Sequence, residues 1–125
     1  MPEELKWDEV RSLARRLSEG QPFALTDEVR ALLRHTAPQV AMSSEEVERA
    51  LQQESSAASL VDEVARRIRV GSRRLSRAIN ESANRQDAGD IRGAREPLEE
   101  VLAVEVVPHY RSIAQTHLDA LDDPE

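Results

Sequence analysis

The stretch from Leu60 to Arg85, LVDEVARRIRVGSRRLSRAINESANR, constrains this chain more than any other. On a wheel of about 100° per residue, Val61, Val64, Ile68, Leu75 and Ile79 fall on one side. Their steps of three, four, seven and four residues are helical spacing. Gly71, Ser72 and Ser82 share that side and narrow the stripe in its middle. Arg66, Arg69, Arg73 and Arg77 lie opposite, and Arg67, Arg74 and Arg85 flank them. The pattern predicts a long amphipathic helix over about 57–86 with a cationic outer face.

That helix carries seven of the 17 basic residues, and no acid falls between Arg66 and Asn80. All seven are Arg, and Lys6 is the one lysine of the chain. The planar guanidinium fork suits carboxylate and phosphate, where an ammonium is a point charge. Two readings of the face stay open. It is a solvated surface partly paired with acids of neighbouring helices, or it is a docking surface for an acidic partner. The residues of the second reading are Arg66, Arg69, Arg73, Arg74 and Arg77. Gly71 inside the pattern costs about 1 kcal/mol relative to Ala. It lies at the edge of the apolar face, so close approach of another helix is expected there, with a kink as the alternative.

A chain of 125 residues is expected to form a single domain, 1–125, with a real core. Trp7, Phe23 and Tyr110 are its only aromatic residues, so the core must be built from Leu, Val, Ile and Ala. A charged content of 33% and only four glycines fit an all-α fold, a helical bundle of about five helices. The net charge of −7 repels nucleic acid and anionic membrane. Its placement is uneven: residues 1–63 hold seven bases and thirteen acids, and residues 96–125 hold Arg111 against eight acids. Pairing of Arg with Glu inside the molecule is the first expectation from this basic island, and an acidic partner the second. The absence of Cys excludes disulfides, a thiolate nucleophile and cysteine zinc sites. MPEELKWDE has no signal pattern, and no apolar run reaches membrane-spanning length, so a soluble cytoplasmic protein is expected.

In chain order, Pro2 to Glu19 reads as the first helix, with Glu3 and Glu4 in its first turn, Leu5, Val10, Leu13, Ala14 and Leu17 inside and Trp7 near the edge. Gly20 caps its end and Pro22 prevents continuation. Thr26 caps a second helix with Val29, Leu32 and Leu33 inward, expected to end near His35 or Thr36 because Pro38 disfavours helix at Ala37. Ser43 and Glu46 have capping-box spacing and open a short third helix. Residues 54–59 read either as a turn, with Ser55 or Ser56 as cap, which is preferred, or as a stretch that runs straight into the central helix. That helix ends near Gln86, at the turn Asp87-Ala88-Gly89-Asp90, and Asp90 caps the next helix. Pro97 either opens that next helix proper or kinks it. Leu98 to Val107 reads as buried helix rather than strand, since no second strand exists to pair with it. Pro108 breaks or kinks it, and His109 to Leu121 forms the last segment, with Ile113, Ala114 and Leu118 inside. Residues 122–125 read as a frayed acidic tail.

These stretches resemble a known family. LTDEVRALL at 25–33 with Ala37-Pro38, IRVGSRRLSRA at 68–78, DAGD at 87–90 with Gly93-Ala94-Arg95, and LAVEVVPHYR at 102–111 together resemble the DUSAM domain, a myxobacterial domain of unknown function. The resemblance spans most of the chain, and its last motif is the most specific. It implies no catalytic or binding residue. The turn AGD followed by GA and a leucine is also similar to half of a tetratricopeptide unit, which supports an α-hairpin. A single such unit makes no solenoid.

The same residues carry little that points to chemistry. Neither GxxxxGK[ST] nor GxGxxG occurs, and no HExxH or EF-hand loop is found. His109 and His117 are eight apart, too far to chelate together without other ligands, so no metal or cofactor is expected. His109 beside Tyr110, after the proline break, is the one grouping that hints at a site, and a packing or capping histidine is the plainer reading. Adjacent acids such as Glu99 and Glu100 point to different helix faces and make no acid/base pair. The expected function is a protein–protein interaction or regulatory module, not an enzyme, with a protein partner or a second copy of the chain. A toxin-neutralising, immunity-like protein is a sub-case. Nucleic-acid binding through the same Arg stripe is the alternative, disfavoured by charge and by the lack of stacking aromatics beside it.

Overall fold

A computed structural model describes residues 5–122. Every regular element among them is a helix: α1 (Trp7–Ser18), α2 (Asp27–Gln39), α3 (Ser44–Ala50), α4 (Glu54–Asp87), α5 (Ile91–Val104) and α6 (Pro108–Asp122). The all-α expectation holds, and the rejected strand at 98–107 is absent among the described residues. No helix among them is long and apolar enough to cross a membrane. The chain divides into two compact units, residues 1–68 and 69–125.

In the first unit α2 packs on both α1 and α3. Val10, Leu33, Ala37, Val40, Val47, Val61 and Val64 are buried. Trp7 is buried as well and donates its indole N–H to Gln39 Oε1 at 3.0 Å. Thr26 Oγ1 and Ser43 Oγ accept from the backbone N–H of Val29 and Glu46, as their cap positions predict. Helix α1 begins at Trp7, with Asp8 and Glu9 in its first turn. The expected start over 2–4 lies outside the described residues. Ser56 is not a cap: its hydroxyl donates to the carbonyls of Ala50 and Gln53, and α4 starts earlier, at Glu54.

Helix α2 does not stop at His35 or Thr36 but runs through Pro38 to Gln39. Burial explains the extension. Thr36, Ala37 and Val40 are fully enclosed, and unwinding the last turn would withdraw them from the core. Pro38 sits in that last turn and cannot donate to the Arg34 carbonyl four residues back, a loss that the burial of its neighbours offsets.

In the second unit α5 and α6 pack on each other, burying Ala94, Leu98, Val101, Ala114 and Leu118. Pro97 neither opens nor ends a helix, since α5 runs from Ile91 through it. A proline there cannot donate to the carbonyl four residues back, that of Gly93. Arg85 takes over that carbonyl, with Nη1 at 2.8 Å. The helix expected over Leu98 to Val107 ends at Val104, leaving Glu105 extended, and Pro108 opens α6. Asp122 is the last residue of α6 and pairs with Arg95, so it is no part of a frayed tail. Residues 123–125 lie outside the described residues.

Candidate functional site

The arginines of α4 separate by what their positions let them reach. Those flanking the apolar stripe turn toward neighbouring backbone and acids. Arg67 donates through Nη1 to the carbonyls of Val40 (2.9 Å) and Ala41 (3.3 Å), orphan acceptors at the end of α2. It also joins Arg66 on Glu63, at 2.7 and 2.8 Å. Hydrogen bonds from Arg66, seconded by Arg67, hold the Glu63 carboxyl down from the ordinary 4.5 to about 2 against the opposing effect of burial. Arg85 holds the Gly93 carbonyl and pairs with Glu81 and Glu96.

Arg74 makes the deepest of these contacts. Its Nη1 lies 2.7 Å from Glu105 Oε1, and the Glu105 side chain is 1% exposed. The other carboxylate oxygen of Glu105 accepts from the backbone N–H of Val106 (3.1 Å) and Val107 (3.0 Å). One buried carboxylate thus fixes the α5–α6 connection and ties it to α4. Arg111 Nη1 completes the connection by donating to the carbonyls of Leu102 and Glu105. Gly71 serves the same place. A Cβ on it would stand 2.5 Å from the Tyr110 ring and 2.9 Å from Glu105 Oε1. The expected close approach at Gly71 is therefore real, and it comes from an aromatic ring of α6.

Arg69, Arg73 and Arg77 are exposed and make no ion pair or side-chain hydrogen bond among the described residues. Arg73 and Arg77, together with Arg74, border a groove of about 640 Å³ within the second unit. One wall is α4 and the other α5. Aliphatic side chains line the groove between them: Val104 is exposed and Val70 half-buried, and Ala78, Pro97 and Val101 are buried beneath. Val104 is 61% exposed, in a helix that buries Ala94, Leu98 and Val101. Glu81 and Glu100 also line the groove, Glu100 from the α5 wall. Of the five arginines singled out from the sequence, the structure gathers Arg73, Arg74 and Arg77 at one groove. Arg69 is not among the residues that line it, and Arg66 lies in the first unit, on Glu63.

The sequence matches, over residues 5–121, a family described as a protein of unknown function (DUF2379). The chain belongs to this family, the DUSAM domain. No curated protein and no solved structure matches the chain. Within this DUSAM domain the LAVEVVPHYR motif at 102–111 now has a physical content. It supplies the exposed Val104, the buried Glu105, the proline that opens α6, the ring over Gly71 and the Arg111 cap. His109 and Tyr110 do not form one pocket. The Tyr110 ring is buried against Gly71, and His109 is exposed, its ring tilted 51° to that of Tyr110 at 5.9 Å.

Glu105 was missed by sequence reasoning. The available signal was a single acid inside the run Val104-Glu105-Val106-Val107, just before a proline. An isolated carboxylate in apolar surroundings needs a partner cation, and the basic island of α4 was the largest supply. The α5 side of the groove was missed too, because Val104 reads as core by composition.

Proposed function

We propose that this DUSAM domain is a cytoplasmic protein-interaction module whose docking surface is the α4–α5 groove, and that its partner presents an acidic segment. The observation that carries the reading is the pairing of two guanidinium groups, Arg73 and Arg77, free of internal partners among the described residues, with exposed aliphatic surface at Val104. Internal pairing was the competing account of the basic stripe. It accounts for Arg66, Arg67, Arg74 and Arg85 and leaves Arg73 and Arg77 without a role. A protein surface supplies carboxylates beside apolar side chains. A nucleic-acid backbone supplies charge without an aliphatic face, and the net charge of −7 opposes its approach.

The test compares the full chain with an Arg73→Glu/Arg77→Glu variant in capture from native extract, read by mass spectrometry. The reading expects a specific acidic protein retained by the wild type and lost from a variant of unchanged helicity. Equal capture by the folded variant would dispose of the groove as the docking site.

A further inference from the structure

The groove also specifies the conformation of the segment it receives. We infer that the occupant is an amphipathic helix of a partner protein, with an apolar stripe flanked on one side by two carboxylates a turn apart. This rests on the docking reading above and names the partner's chemistry.

A segment of chain docks by its secondary structure as a strand, a polyproline stretch or a helix, and of these three the groove favours the helix. Adding a strand requires an open sheet edge, and the described residues contain no strand. The groove walls are two helices whose backbone groups are already bonded along their own axes, so they offer no ladder to an extended peptide. A polyproline segment requires aromatic rings to pack against, and no aromatic side chain lines the groove. A trough between two helices with an aliphatic floor is the shape that a third helix fills, ridge into groove.

Charge then sets the pattern on that helix. Arg73 and Arg77 are four residues apart on α4, one turn along its axis. Carboxylates three or four residues apart on the partner meet both. Arg74 is engaged with Glu105 and is not part of this recognition. The α5 wall carries the opposite sign through Glu100, so the partner's other flank is neutral or basic. Acids on both flanks would set one of them against Glu100.

The test uses the full chain and a labelled synthetic helix of about 15 residues, near the shortest length at which a helix holds in water. Leucines form its stripe, two glutamates one turn apart form one flank, and a lysine sits on the other. Fluorescence anisotropy is read against a scrambled peptide of the same composition. The helix should bind and the scrambled peptide should not. Arg73→Glu/Arg77→Glu should weaken the helix about tenfold or more, because two peripheral charge pairs become repulsive. A peptide with lysine in place of both glutamates should prefer that variant to the wild type. Equal binding of the scrambled peptide, or no binding of the helix, overturns the inference. If the helix fails while the double variant still loses the protein captured from extract, the docking reading stands and only the helical partner falls. If both fail, both fall. Sedimentation of the chain alone covers the remaining occupant: a dimer dissolved by the double variant would put a second copy in the groove and overturn the partner helix.

Discussion

Arg73 and Arg74 are neighbours on one helix with opposite duties. Arg74 neutralises a carboxylate that water cannot reach, and removing one member of a buried pair strands the other. Arg74→Ala should cost about 3 kcal/mol in chemical denaturation. Arg73→Ala should change stability by less than about 0.5 kcal/mol, since its side chain is exposed and without an ion-pair partner among the described residues. Equal costs would dissolve the distinction on which the groove rests. Glu63 offers a second check. Its folded value of about 2 lies below its ordinary 4.5, so it adds stability above about pH 4.5 and loses it as pH falls toward 2. The stability difference between wild type and Glu63→Gln should hold steady above about pH 5 and shrink below it. The contribution is modest, because the Glu63 side chain is 31% exposed. The helical wheel separated the flanking Arg67, Arg74 and Arg85 from the outward Arg66, Arg69, Arg73 and Arg77, of which Arg66 nonetheless pairs with Glu63. It could not show that flanking positions find carbonyls and a buried acid, because those partners lie 8 to 31 residues away in sequence.

Helix ends show where local chemistry suffices and where it does not. Gly20 and Gly89 were legible as stops, and both adopt positive φ, +82° and +83°, closing the paired terminal bonds of a Schellman turn. The end of α2 makes the same turn at Ala41, with φ +69° and Met42 N–H on the Ala37 carbonyl. Alanine carries a Cβ into the left-handed region, where glycine has no such cost. Ala41→Gly should therefore raise stability by about 1 kcal/mol, seen as a higher denaturant midpoint at unchanged slope. No change would mean that the glycine's entropy in the unfolded chain offsets the relief. Ala41 could not be read as a cap because alanine is the strongest helix former. Pro38 was expected to end a helix near His35 or Thr36, and it lies inside one whose last turn is held by buried Ala37 and Val40. Pro97 was expected to open a helix or kink it, and it too lies inside one, with Arg85 on the freed Gly93 carbonyl.

At the scale of the molecule, a net charge of −7 coexists with a small patch of unpaired positive charge. Long-range repulsion of other acidic proteins is screened by salt, and so is the local attraction at Arg73 and Arg77. Close contact at the rim dominates for a docked acidic segment, so raising salt from about 0.05 to 0.5 M should weaken partner capture, mainly through a slower association rate. Capture that strengthens with salt would mean that the aliphatic surface around Val104 carries the contact without the arginines. The sequence by itself determined the helical class, the long α4, the caps at Thr26, Ser43, Gly20 and Asp90, and the outward face of the α4 arginines. Each follows from periodicity or from bonds within a few residues. Tertiary structure alone decided that Glu105 is buried on Arg74, that Tyr110 closes over Gly71, that two prolines lie within helices, and that Val104 faces outward beside Arg73 and Arg77. These depend on which helix lies beside which, and burial and charge pairing across elements settle that after the local rules have been satisfied.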